Sequence, residues 1–332
     1  MLVYVGNANS LDISVQRLDE AGVLTPATTV PIPGGHSKSY AALPLALSPA
    51  GDRLFAVVRS APFAVKAYRI VGEDLEFIAS TPLPGGMALV RTDRTGRFLL
   101  GASTTERLIS SSAIGADGRV SEDHQVIEGV GDVHAILPDL TNRHVYASVL
   151  HGDVLLRLSF DAQTGRLAIV GEVANRKGSG PRHMALQPDG KGLYLLNEYD
   201  GMIDSYALDP QSGELTLRDT VSIMPANTFG QPRAADLQVT PDGRFIYASE
   251  RGTNTIAAFR CEAGGKLTPI ASYVTENCPR SFAIDPQGRF LLSAGQISHK
   301  VKVHGIDPQT GALKSLASYT MGRNPSWVEI AA

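Results

Sequence analysis

The 332-residue sequence is short of most features that would announce a function directly. It has two cysteines, Cys261 and Cys278, too few for a disulfide framework or a cysteine zinc site, and both are expected to be small buried hydrophobes. Basic charge is not in excess: the net charge is −3 and the pI near 6.2, so the footprint of a nucleic-acid partner is missing. No run of about 18 apolar residues occurs, which gives no candidate membrane span. The opening Met1-Leu2-Val3-Tyr4-Val5-Gly6-Asn7 has no basic segment followed by an apolar one. It reads as a strand rather than a signal peptide, and the cytoplasm is the default expectation. There is no Ser-His-Asp order, no glycine-rich phosphate loop and no His-x-x-x-His pair. Helical periodicity of 10–15 residues between strands is also absent, which argues against an α/β fold.

What is present is a repeat. Tight polar turns recur at Pro49, Arg94, Leu140, Pro188, Pro241 and Pro286, in forms such as Pro188-Asp189-Gly190 and Pro241-Asp242-Gly243, each followed by a short apolar run. Proline fixes φ, aspartate bonds the backbone and glycine accepts positive φ, so each is a hairpin turn. A second glycine-bearing turn ends on Leu24, Leu75, Val120, Leu167, Leu215, Leu267 and Leu313, at spacings of 51, 45, 47, 48, 52 and 46. Seven units of that period, with about four short strands each, predict an all-β, seven-bladed propeller spanning residues 1–332 as a single domain. The six copies of the first turn leave one blade short. The strand at Asn324–Ile330 lacks a following partner and Leu2–Asn7 lacks a preceding one, so the two chain ends are expected to complete the seventh blade. That closure removes an open sheet edge. A closed ring needs no partner, and a monomer is expected.

The hairpin around Pro188 places Arg182 beside Glu198, on the rim opposite the turn. Taking the other repeats in the same register puts His134 and Arg280 in the Arg182 slot, and Arg59, Arg251 and Gln296 in the Glu198 slot. Asp236 and Arg233 lie close by in sequence. Long connections, from Pro33 to Leu43 and from Ile223 to Arg233, enter inner strands on that rim and bring Lys38 near it; insertions on one face of a repeat protein mark a binding face. Several guanidiniums around one carboxylate and one imidazole suit an anionic, oxygen-rich small molecule. A solvated rim with incidental ion pairs is the competing reading. Strand alternation turns His183 away from Arg182, so it enters as a secondary substrate contact. His36, His124, His144, His151, His299 and His304 are assigned to surface or packing. Arginine cannot ligate a metal and repels one, so no metal or other cofactor is expected.

The segments Gly180-Pro181-Arg182-His183-Met184, Asn197-Glu198, Met224-Pro225-Ala226-Asn227, Arg233-Ala234-Ala235-Asp236 and Ala294-Gly295-Gln296-Ile297-Ser298-His299 resemble the seven-bladed propeller lactonases over essentially the full length. That family includes the cycloisomerase-type 6-phosphogluconolactonases and the carboxymuconate-lactonizing enzymes, and Val57-Val58-Arg59 with Val65–Ile70 is most similar to the bacterial phosphogluconolactonase branch. Ala135-Ile136-Leu137 and the long Pro33–Leu43 connection depart from that branch. The resemblance implies catalytic roles for His134, Arg182, Glu198 and Arg251, the residues the register selects. Arg59, Arg233, Asp236, Arg280, Gln296, His183 and Lys38 are the expected substrate contacts. A cofactor-independent lactonase acting on an anionic sugar-acid lactone is expected, first 6-phosphogluconolactone, with His134 or Glu198 as base. A muconate cycloisomerase and a non-catalytic scaffold are the alternatives.

Overall fold

The structure is a computed structural model, and it describes residues 1–34, 42–228 and 230–331. Seven four-stranded antiparallel sheets follow one another along the chain, as the repeat predicts. Counting complete blades from the N-terminal side, the inner strands are Leu45–Leu47, Leu89–Thr92, Val133–Pro138, Pro181–Leu186, Ala234–Val239, Pro279–Ile284 and Pro325–Ala331. Each contacts the inner strands of both neighbouring blades, so the ring is closed. The seventh sheet orders Pro325–Ala331, Leu2–Asn7, Asp12–Leu18 and Leu24–Pro31, uniting the two chain ends. The only helix among the described residues is a 3-10 turn at Ala263–Gly265.

Local chemistry explains the regularity. The residue before the first turn caps it: Asp93 Oδ1 accepts from the backbone N–H of Arg97 at 2.7 Å and of Phe98 at 2.9 Å. Asp139 and Asp285 repeat this cap, and the Ser48 and Thr240 hydroxyls take its place in blades one and five. In blade three Asn142 stands where the other turns have glycine, and it holds φ at 57°, a conformation asparagine tolerates. The strand after each turn is almost wholly buried, as in Phe98–Ser103, Phe245–Glu250 and Phe290–Gly295. Outer strands such as Arg166–Ala174 are mostly exposed, with Leu167 buried and Gly171 and Val173 half-buried.

The second repeat turn packs one blade onto the next. A Cβ on Gly165 would lie 2.2 Å from the Phe98 ring, and one on Gly311 would lie 2.3 Å from the Phe245 ring. Both glycines also have positive φ, 75° and 73°. The Tyr247 hydroxyl then donates to the Gly311 carbonyl at 2.8 Å, fixing the same contact by a hydrogen bond. Replacing Gly311 by alanine should therefore lower the urea midpoint by the equivalent of at least about 2 kcal/mol, with the m-value unchanged. Gly72→Ala, where φ is 58° but nothing lies within 4 Å, should cost about half as much. Equal losses in the two variants would show that backbone strain alone, not the blade contact, sets the requirement.

Candidate active site

The residues in the Arg182 slot share one backbone feature. In blade four Pro181 pairs with Asn197 and His183 with Leu196, so Arg182 is the extra residue of a β-bulge. The same register shift isolates His134 in blade three, Arg280 in blade six and Ser326 in blade seven. In blade five it spans Ala235 and Asp236. A bulge breaks the two-residue alternation and re-aims side chains. Arg182 and His183, which simple alternation would send to opposite faces, are both buried, at 1% and 5% exposure, and both reach blade five.

Glu198 gathers two arginines. Its Oε2 accepts from Arg182 Nε at 2.9 Å and its Oε1 from Arg251 Nη2 at 2.5 Å. Arg182 also donates through Nη1 to the Ala235 carbonyl. Arg251 donates to the carbonyls of Arg233 at 3.0 Å and Ala234 at 3.2 Å. Upstream, Asp153 accepts from the Gly178 and Gly180 amides at 2.6 and 3.0 Å and fixes the loop that delivers Arg182. Arg280 has a buried Nε with no partner, and Arg59 lies near enough to act on it electrostatically. Arg182, Arg251 and Arg280 thus act on Glu198, while Arg59, on the other side of Arg280, is faced by Glu106.

The charge states follow from that imbalance. Burial alone would raise the Glu198 carboxyl, but Arg182 and Arg251 outweigh it and hold the group below the usual glutamate range. Burial, then repulsion from Arg251, brings Arg182 down to about 10. Burial, then Arg182, Arg251 and Arg59, holds Arg280 well below an ordinary guanidinium. Burial, followed by Arg182, His183, Arg280 and Arg59, keeps His134 far below a normal imidazole, so it is neutral at pH 7. The result is a cationic cluster with one buried, unpartnered donor on Arg280 and a neutral imidazole beside it. A carboxylate pinned by two arginines is a weak base and a firm anchor.

The structure brings together Arg59, His134, Arg182, Glu198, Arg251 and Arg280, with His183 and Asp236 directly behind them. It does not bring in the others. The Arg233 side chain is exposed, and its backbone serves instead, its N–H donating to Glu250 Oε1 at 2.6 Å and its carbonyl accepting from Arg251. Gln296 donates to Asn324 Oδ1 at 2.8 Å and lines a separate cleft of about 390 Å³ with Cys278, His299 and Asn324. Lys38 lies outside the described residues. Asp236 spends its carboxylate within the protein, accepting from His183 Nδ1 at 2.7 Å and from the amides of Leu237 and Phe282 at 2.8 and 3.1 Å. Sequence reasoning passed over Asp153 and Glu250, which shape the site through backbone contacts, and Ser326, whose hydroxyl accepts from the Leu43 amide at 2.9 Å. Ser326 was open to detection, since it occupies the Arg182 slot of the split blade. Among the described residues no group of three or more His, Cys, Asp or Glu is placed to hold a metal ion.

Glu198→Ala leaves two largely buried arginines without their anion, and should lower stability by about 3 kcal/mol in urea unfolding. Added sulfate should restore part of that loss in the variant and change the wild type much less. An unchanged midpoint would show that Glu198 is not the anchor of the cluster.

Comparison with known proteins fits this geometry. A family model described as lactonase, 7-bladed beta-propeller, matches residues 2–330. A 6-phosphogluconolactonase of Pectobacterium carotovorum subsp. carotovorum (strain PC1) is 39% identical, covering 100% of this chain and 98% of its own length. One from Serratia proteamaculans (strain 568) is 37% identical, with 100% and 99% covered. Among solved structures, a periplasmic gluconolactonase of Pseudomonas aeruginosa superposes with a TM-score of 0.89 at 25% identity, covering 100% of this chain and 99% of the other. A protein from Lactobacillus plantarum gives 0.87 at 26% identity, with 99% of both chains covered. With the family model and full-length relatives in agreement, the chain belongs to the seven-bladed β-propeller lactonase family.

Proposed function

We propose that this protein hydrolyses 6-phosphogluconolactone at the arginine-lined rim, with His134 as general base and no bound cofactor. The observation that carries the reading is the neutral, buried imidazole of His134 set among Arg182, Arg280 and Arg59, with a buried Nε of Arg280 left without a partner. The names of the full-length relatives supply the substrate. A phosphate is an anion that Arg280 and Arg59 can take while Arg182 and Arg251 remain on Glu198. In the reaction His134 removes a proton from water as its oxygen attacks the lactone carbonyl. Arg182 or Arg251 stabilises the oxyanion as it forms. The tetrahedral adduct collapses with cleavage of the ring C–O bond, and the imidazolium returns the proton to the leaving alkoxide. The product acid then ionises into solvent. Glu198 holds the arginines and does not move protons. Cys261 and Cys278 are unpaired thiols, which suits a reducing compartment. We place the protein, as a monomer, in the cytoplasm.

General acid–base help is worth about 10²–10⁴ in rate. His134→Ala should fold as the wild type does and lose at least about a hundredfold in kcat. Arg280→Ala should raise KM for 6-phosphogluconolactone far more than for unphosphorylated gluconolactone. Wild-type rates in the His134 variant, or equal effects of Arg280→Ala on the two substrates, would overturn the base and the phosphate subsite respectively. The pH dependence has a definite sign. Because His134 is held well below the ordinary imidazole value of 6.5, it stays unprotonated as the pH falls through that value. The kcat/KM profile should therefore be flat from pH 7.5 down to about 6, with its acid limb displaced below the range of a free histidine. A half-loss of kcat/KM centred near pH 6.5 would contradict this base.

A further inference from the structure

Behind the rim, two imidazole rings from adjacent blades lie against each other. The His134 and His183 centroids are 5.3 Å apart with planes tilted by 53°. Each ring has one buried nitrogen without a partner: Nδ1 of His134 and Nε2 of His183. On its other side, His183 Nδ1 is 2.7 Å from Asp236 Oδ1. A carboxylate only accepts, so Nδ1 of His183 carries the proton and its Nε2 is an acceptor. Asp236 is fixed in turn by the amides of Leu237 and Phe282, the latter from the next blade, and cannot swing away. Trp327, 6.2 Å from the His183 ring centroid, closes its remaining side.

We infer that Asp236 and His183 are positioning residues for His134. The chain runs from the Asp236 carboxylate through His183 to Nδ1–H of His134, and it leaves the lone pair of His134 Nε2 turned to the rim. A neutral imidazole carries one proton; His134 Nδ1 is buried without a partner, and the ring packed against it is that of His183, whose Nε2 is likewise buried and unpartnered. A small rotation of either ring as substrate docks completes that hydrogen bond. The arrangement also meets an electrostatic need. His134 is faced by Arg182, Arg280 and Arg59 as well as by His183. His183 is faced by Arg182, Arg91 and Asp236. An imidazolium forming at His134 would have cations on nearly every side, and Asp236 is the buried negative charge that reaches it through His183.

The inference rests on the lactonase reading for its consequence in catalysis, but the tautomer can be read without any substrate. In the wild-type protein at pH 7, proton–nitrogen correlation of the imidazoles should place the His134 proton on Nδ1. A proton on Nε2 would overturn the inference whether or not the protein opens a lactone. Conversely, a correct tautomer with no lactone hydrolysis would sink the proposed function and leave the positioning intact. In kinetics, Asp236→Asn should lower kcat at least about tenfold with KM within about twofold. It should also move the acid limb to lower pH, since removing a negative charge makes His134 harder to protonate. His183→Gln, which keeps an acceptor, should retain at least about tenfold more kcat than His183→Phe, which keeps only the ring shape. Equal losses in Gln and Phe, or an unmoved acid limb in Asp236→Asn, would reduce both residues to packing and overturn the inference.

Discussion

The site depends on one carboxylate held between two guanidiniums from different blades. Glu198 takes Arg182 from its own hairpin and Arg251 from the next, so one side chain joins the tertiary ring to the local charge pattern. Bringing Arg182 to 1% exposure is costly unless an anion accompanies it. Glu198 meets part of that demand, and the carbonyls of Arg233, Ala234 and Ala235 meet more. Arg280 keeps a buried Nε without a partner, and Arg59 beside it is faced by Glu106.

The same ring geometry decides which backbone groups are free to serve the site. Inner strands crowd around the axis, and their first residues have room to bulge because no blade lies inside them. The bulges put His134, Arg182, Arg280 and Ser326 in equivalent places on four blades. A repeat that is structurally uniform therefore presents chemically different side chains at equivalent positions. The capped inner turns and the Gly–aromatic contacts between blades keep those strand ends in place.

The two kinds of role within the cluster come from burial and partners rather than residue type. Glu198, half-buried, and Asp236, buried, are both acids held ionised, one by arginines and one by His183 and two amides. His134 and His183 are both buried bases pushed down, but only His183 has a fixed hydrogen-bond partner. That asymmetry separates the ring that can accept a proton at the rim from the ring that can only hold it in place.

Much of this was legible in the linear sequence, for a physical reason. Turn chemistry is local: Pro-Asp-Gly and the second glycine turn declare themselves within five residues, and their spacing counts the blades. Register then follows from a two-residue period, which is why Arg182 and Glu198, sixteen positions apart, could be paired from the sequence. The roles of Arg233, Gln296, Asp236 and His183 were not legible. A β-bulge adds one residue without a sequence mark, so the contact of His183 with Asp236 in the next blade could not be read from alternation. The partners that claim Asp236 and Gln296 come from blades tens of residues away. The sequence by itself determined the number of blades, the closure of the ring by its two ends and the slots that face one rim. Only the tertiary structure decided which of those side chains are spent on one another and which remain for a ligand, because hydrogen bonds and charge compensation between blades are set by distances that no local pattern encodes.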